Sequence, residues 1–225
     1  MKKVYYIAEK TTKAKCGEII LPLIKTLALK DEKLESKLKN ADSLIFTSKR
    51  AITFLEKTNK KWHHLPCYVL GKGTQKALDS LCLKPFFTDS THYGDSFANE
   101  LKTTLKHKKP LFIHGEKCAS HLFRILKDYG IDLEESILYK SEIIELKNKE
   151  ALNKNSIIFF SAPSRIDAFL QNFTWDESFV ALCIGATTAD YCKEKLPQAK
   201  VKIAKNTDIL KCLKEAKMLL KEDND

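Results

Sequence analysis

The sequence predicts an α/β protein of two similar doubly wound parallel-sheet domains joined by a two-stranded ribbon, with the first domain discontinuous in sequence. Three observations predict this. They are a repeat at a fixed offset of 114 residues, a strand-helix-strand-helix pattern inside each copy, and a weaker similarity between two strand pairs.

The repeat is gapless over about forty residues, and such self-similarity is read before any element is assigned. It carries Leu38 onto Leu152, Phe46 onto Phe160, Thr47 onto Ser161, Ile52 onto Ile166, Gly71 onto Gly185 and Thr74 onto Thr188. Each copy holds an apolar strand (SLIFTS, SIIFFS), a small-polar turn, an amphipathic helix, a second strand (CYVLG, ALCIG), a GxxT turn and another helix. Alternation of this kind builds a parallel sheet covered on both faces, with right-handed crossovers.

The second similarity links VYYIAEK and GEIILPLIK at the start with PLFIHGEK and GIDLEESILYK in the middle. In the middle copy a helix over about Ala119 to Asp128 separates the strands and ends at Gly130, a C-cap glycine. The first copy has no room for that helix. The middle pair completes the domain of the first repeat copy, so the N-terminal pair belongs with the second copy. Domain one is expected over residues 1–24 and 151–225, domain two over 36–140, and the ribbon over 25–35 and 141–150. The ribbon segments lack the Gly or Pro content of a loose linker.

Bulk properties narrow the class. The 225 residues are 44% hydrophobic and 30% charged, ordinary for a globular chain with a real core. The longest apolar run, near Ile157 to Ala162, is too short to span a bilayer, and MKKVYYIAEKTTK lacks an export signal's apolar stretch. Seven scattered cysteines without a CxxC spacing argue against a disulfide framework and against zinc, and fit a cytoplasmic location. Cys183 in VALCIG reads as a small buried hydrophobe. The excess of 39 Lys and Arg over 29 Asp and Glu gives +10, a field that retains anions. The basic residues are spread out and no nucleic-acid motif occurs, so a small anionic partner is expected rather than a nucleic acid or a membrane.

Chemistry is expected at the carboxyl ends of the strands, where helix N-termini present unpaired N–H groups. Four loops lie there: Thr47, Ser48 and Lys49; Gly71, Lys72 and Thr74; Ser161, Ala162 and Ser164; Gly185, Thr187 and Thr188. Each loop alone also reads as helix N-capping. What favours binding is that all four share this chemistry, and the repeat is expected to set them on opposite lobes. One carboxylate at one helix end gains only about 0.3 to 1 kcal/mol, so a polycarboxylate using several together is the ligand that suits them. Lys49, Arg50, Lys72 and Lys117 add attraction. His114 and His121 span a strand end and a helix rather than one helical face, and no metal or cofactor is expected.

At IFTSKRA (Ile45 to Ala51), YVLGKGTQKAL (Tyr68 to Leu78), GIDLEESILYKSE (Gly130 to Glu142), IIFFSAPS (Ile157 to Ser164) and CIGATTA (Cys183 to Ala189) the chain resembles the uroporphyrinogen-III synthase family. The resemblance implies two α/β domains joined by a ribbon. It also implies a cofactor-free lyase that closes hydroxymethylbilane, a linear tetrapyrrole with eight carboxylates, while inverting its last ring. Backbone N–H groups and small hydroxyls would hold the substrate, including Gly115 and Lys117 of HGEK. Tyr139 in ILYKSE matches the family's tyrosine and would act on the departing hydroxyl; its alternative is an aromatic packed at the ribbon. The substrate would be handed over by the preceding enzyme of tetrapyrrole biosynthesis, and a monomer is expected because no heptad or long apolar edge occurs in the sequence. Two departures stand out: Ala119 where the family has a basic residue, so that this anion contact is absent or is supplied by Lys117 or His121, and the missing first helix. The competing reading is a cytoplasmic two-lobed sensor of an anionic metabolite.

Overall fold

Short apolar runs bounded by Gly, Ser and Thr become strands in the computed structural model, which describes residues 2–89, 93–118 and 120–222. In chain order these residues form β1 (Val4–Glu9), β2 (Ile19–Ala28), α1 (Leu34–Asn40), β3 (Ser43–Phe46), α2 (Lys49–Thr58), β4 (Cys67–Leu70) and α3 (Gly71–Asp79). They continue through β5 (Phe87–Asp89), α4 (Gly94–Thr104), β6 (Pro110–Gly115), α5 (Leu122–Asp128) and β7 (Glu134–Ile143). The last elements are β8 (Ile157–Phe160), α6 (Pro163–Asn172), β9 (Val180–Cys183), α7 (Ala186–Lys195), β10 (Lys200–Ile203) and α8 (Ile209–Glu222). The α/β class with parallel strands is therefore the one predicted.

The chain divides into two compact units, Met1–Lys25 with Glu142–Asp225 as unit 1 and Thr26–Ser141 as unit 2. It leaves unit 1 inside β2 and returns inside β7. Strand order within unit 1 is β10-β9-β8-β1-β2, and within unit 2 it is β5-β4-β3-β6-β7. Both sets pair in parallel. The 114-residue repeat has a structural meaning: β3 and α2 recur as β8 and α6 with the same lengths.

Each unit buries apolar residues on both faces of its strands. In unit 2, Leu44, Phe46, Ile52, Leu55 and Trp62 form one face with α2. Ile45, Tyr68 and Phe112 meet Phe97 and Leu101 of α4 and Leu122 and Leu126 of α5 on the other. In unit 1, Ile158 and Phe160 pack with Ile166, Phe169 and Cys192 of α6 and α7. The opposite face sets Val4, Tyr6 and Phe159 against Cys212, Leu213 and Ala216 of α8.

No helix lies between β1 and β2, although parallel neighbours usually need a crossover of a dozen or more residues. The loop is closed instead by Glu18, whose buried carboxylate accepts the backbone N–H groups of Lys15 and Cys16 at 2.9 and 2.8 Å. Gly17 supplies the left-handed turn at φ +73°. Burial pushes the Glu18 carboxyl up, but these hydrogen bonds and the Lys217 charge outweigh it and hold it below the usual range. Cys16 packs into the α8 cluster, so α8 covers the wall that lacks its helix.

The middle helix begins later than expected, at Leu122. Asp95 of α4 accepts the His121 backbone N–H at 2.8 Å and marks its start. Ala119 lies outside the described residues. At its end Gly130, φ +85°, donates to Lys127 O and Ile131 donates to Leu126 O, a Schellman closure. The segment expected as ribbon over 25–35 is strand only to Ala28, and α1 starts at Leu34. Within unit 1 Ile144 N–H donates to Leu23 O and Lys25 pairs with Glu142 at 3.0 Å. Within unit 2 Leu29 N–H donates to Leu138 O.

Candidate active site

Parallel register decides which loops share a sheet end. In unit 2 Phe46 pairs with Val69 and Ile113, and Gly115 pairs with Tyr139, so the loops after β3, β4 and β6 emerge beside Tyr139. In unit 1 Phe160 pairs with Cys183, which brings the loops after β8 and β9 to one end. These are the positions at which open α/β sheets bind ligands.

Capping distinguishes the loops. Ser48 caps α2 by accepting the Arg50 N–H at 3.2 Å, the bland role considered for every loop. The N-cap positions of α3, α6 and α7 are Leu70, Ala162 and Gly185, and none makes a side-chain cap bond. Three helix ends therefore keep first-turn donors that no cap residue consumes. Thr47, Ser48, Ser161, Ala162 and Gly185 are half-buried, while Lys49, Lys72, Lys117, Ser164 and Thr187 are exposed. Thr74 and Thr188 match in the repeat, fourth in α3 and third in α7, and are equally buried, at 4% exposure, leaving little hydroxyl surface for a ligand. Gly71 is buried at φ +77°, where a side chain is strained, whereas Gly185 has extended backbone with open space where a Cβ would stand.

Tyr139 is 8% exposed, and its ring stacks on Phe54 with centroids 5.1 Å apart. Gly115 lies against the ring: a Cβ there would stand 2.7 Å from Tyr139 Cζ. Packing and placement thus coincide, since the ring is wedged in the unit 2 core at the sheet end where the loops emerge. The β6–β7 ladder slips at this point, His114 facing Ile137 and Gly115 facing Tyr139, so Leu138 is the extra residue of a bulge. Its carbonyl accepts from Leu29, and the next carbonyl, of Tyr139, accepts from Glu116 N–H at 2.8 Å.

His114 is buried against the Phe112 ring, with centroids 4.4 Å apart. Its Nδ1 bonds the Gly115 carbonyl at 2.8 Å and its Nε2 bonds a Glu135 carboxylate oxygen at 3.0 Å. Sequence reasoning set His114 aside as a satisfied or exposed histidine rather than a metal ligand, and did not identify its partners. The signal was present in the strand-pair similarity, where PLFIHGEK places His114 opposite Ala8 of VYYIAEK. His121 is exposed and held by Asp95, and His63 bonds Glu56 at 2.6 Å. Among the described residues no group of three or more His, Cys, Asp or Glu is gathered as metal ligands would be. Cys183 is fully buried, and a hydrogen bond with Cys192 together with burial pushes its thiol up. Burial alone pushes Cys67 up to about 12. No described helix is long and apolar enough to cross a membrane.

Fold and site together define an α/β protein of two topologically matched parallel-sheet units with polar strand-end loops. The family profile described as Uroporphyrinogen-III synthase HemD matches residues 7–213, and the chain belongs to this family. Membership makes it an enzyme of tetrapyrrole biosynthesis that catalyses a cyclisation. Among solved structures it is similar to the uroporphyrinogen-III synthetase of Helicobacter pylori, at 26% identity and a TM-score of 0.79 over 97% of this chain and 100% of that one. A mutant uroporphyrinogen III synthase of the extremely thermophilic bacterium Thermus thermophilus shares the fold at 16% identity and a TM-score of 0.63, with 99% and 100% covered. No curated protein sequence matches.

Proposed function

We propose that the chain converts hydroxymethylbilane into uroporphyrinogen III as a cofactor-independent hydro-lyase. The family match over residues 7–213 carries this reading. The bilane loses the hydroxyl of its terminal carbon with one proton, as water, and becomes an azafulvene. The substituted position of the last ring attacks that carbon to give a spiro-pyrrolenine, which fragments and recloses with the ring inverted. Uncatalysed closure gives the non-inverted isomer, so most of the protein's task is to fix the fold of the chain; orientation effects of this kind reach about 7 to 11 kcal/mol.

Tyr139 is the group we assign to the departing hydroxyl. A phenol stays protonated at neutral pH and can donate to the leaving oxygen as charge develops. The Phe54 stack and the close Gly115 backbone support this by restricting the ring's rotation. The carboxylates of the substrate are assigned to the strand-end loops of both units: Thr47 to Lys49, Gly71 to Thr74, Gly115 to Lys117, Ser161 to Ser164 and Gly185 to Thr188. The three helix ends without a side-chain cap support that assignment. Thr188, third in α7, then contributes through its first-turn backbone N–H, because its side chain is buried, whereas in α3 that place falls to Gly73 and the buried Thr74 serves as packing. The cytoplasm is the proposed location, in keeping with seven free cysteines.

The test is to supply hydroxymethylbilane to the purified chain and resolve the product isomers. Type III product above the spontaneous rate is expected; type I alone, at the spontaneous rate, contradicts the proposal.

A further inference from the structure

We infer that His114 is a positioning residue for Tyr139, acting through the Gly115 carbonyl. The inference rests on the reading of Tyr139 as the group that acts on the substrate. Three contacts form an unbroken path. His114 Nδ1 bonds Gly115 O at 2.8 Å, Gly115 faces Tyr139 across the ladder, and the Gly115 backbone lies directly against the Tyr139 ring. A carbonyl oxygen only accepts, so Nδ1 donates to Gly115 O, while Nε2 contacts the Glu135 carboxyl at 3.0 Å. The imidazole is thereby held at two points. The Phe112 stack holds its plane. A ring so held adds a second hold on the Gly115–Glu116 peptide, whose N–H donates to Tyr139 O, and a rotated peptide would move the surface on which the phenol rests.

Unit 1 shows that this histidine is not needed to build the bulge. There Ile7 faces Leu21 and Glu9 faces Ile24, the same one-residue slip. Lys10 N–H donates to Ile24 O as Glu116 N–H donates to Tyr139 O. The residue matching His114 is Ala8, and the bulge forms without an imidazole. What the histidine adds in unit 2 is control of the peptide beneath a tyrosine that unit 1 lacks.

Three variants separate the contacts. His114→Ala removes both bonds. His114→Asn keeps a donor where Nδ1 stands, and His114→Gln keeps the reach to Glu135 while losing Gly115. A displacement of about 1 Å in a reacting group can cost about 100-fold, so His114→Ala and His114→Gln are expected to lower kcat about 10- to 100-fold. KM should change by less than about threefold in both, and His114→Asn should restore most of the lost turnover. In the Tyr139→Phe background, His114→Ala should add no further loss. The ring ¹³C resonances of Tyr139 in selectively labelled protein should move in the Ala and Gln variants and return in the Asn variant.

Two outcomes overturn the inference: unmoved Tyr139 resonances in His114→Ala and His114→Gln, or losses of turnover that multiply with that of Tyr139→Phe. Unfolding of His114→Ala leaves the Asn and Gln pair to decide. If the resonances move as expected while Tyr139→Phe keeps full turnover, the positioning of Tyr139 stands and its assigned role in the chemistry fails.

Discussion

Unit 1 and unit 2 are built on one plan and differ where chemistry would occur. Both slip by one residue at the same step of the same ladder, Glu9 facing Ile24 in one and Gly115 facing Tyr139 in the other. Leu23 and Leu138 each accept through their carbonyl, from Ile144 and Leu29, the residues just past β7 and β2. Around this common frame unit 1 places Ala8, Glu9 and Ile24, whereas unit 2 places His114, Gly115 and Tyr139. The backbone geometry is thus independent of the polar residues, and the phenol, the imidazole and the glycine form a set that occurs once. One backbone plan thus carries matched polar strand-end loops in both units and a tyrosine at the bulge of only one.

The strongest way to break that comparison is Gly115→Ala. The ladder itself tolerates a side chain here, since unit 1 has Glu9, and the nearest atoms a new Cβ would meet belong to Tyr139, whose Cζ would lie 2.7 Å away. With Phe54 stacked on it, the ring has little room to yield. Overpacking of this kind costs about 1 to 3 kcal/mol, and type III production should fall at least about tenfold because the phenol is displaced. Thermal melts and isomer-resolved turnover measure the two effects; an unchanged rate would show that the ring's placement is unimportant.

A smaller contrast lies in the paired glycines. Gly71→Ala forces a side chain into a left-handed turn at φ +77° and should destabilise by about 1 kcal/mol or more. Gly185→Ala meets open space on extended backbone, so its stability should stay within about 0.5 kcal/mol. A rise in KM for hydroxymethylbilane in Gly185→Ala would then report a substrate contact. Loss of stability there would mean that the two GxxT turns are more alike than their backbones indicate.

Acid separates the units more gently. In unit 2 Asp31 accepts from Lys37 at 2.8 Å, Ser136 at 2.7 Å and the Lys33 N–H at 2.9 Å. Burial raises its carboxyl, but these donors and the Lys37 charge outweigh burial and hold it below its ordinary 3.8. A depressed carboxyl contributes stability above its unfolded pKa and loses it as pH falls through the folded value. The contribution should therefore be complete above about pH 5 and decline from below 4. Asp31→Asn should flatten this part of the acid profile and loosen α1 against β7, read by amide hydrogen exchange. Amides of Lys15 and Cys16, held by Glu18, should be unaffected; an acid profile identical to wild type would remove Asp31 from the account.

Much of this frame was legible in the sequence, and the reason is local. Phe46 and Phe160, Ile52 and Ile166, and the GxxT turns sit in short strand-helix units whose periodicity is set by neighbouring residues, so the repeat marked them directly. Gly130 carried its own helix stop, which the Schellman bonds complete. The short first crossover was also visible, but not the role of α8, because covering a face depends on which distant helix reaches it. The slip at Leu138 was hidden for a similar reason. A bulge belongs to a pair of strands, and IHGE and ILYK show it only when laid side by side. The loop residues were found by type and position, but type did not reveal that Thr74 and Thr188 are buried or that Ser48 is consumed as a cap.

The central claim is that the reaction depends on unit 2's phenol and not on its counterpart. Single-turnover conversion of hydroxymethylbilane, with type I and type III products resolved, tests it in Tyr139→Phe and Ile24→Val side by side. Tyr139→Phe should slow type III formation by about 100-fold, the scale of a lost proton donor. Ile24→Val should lose only about 0.5 to 1.5 kcal/mol of stability and keep its rate within about twofold. Equal slowing in the two variants, or a wild-type rate in Tyr139→Phe, would contradict the account.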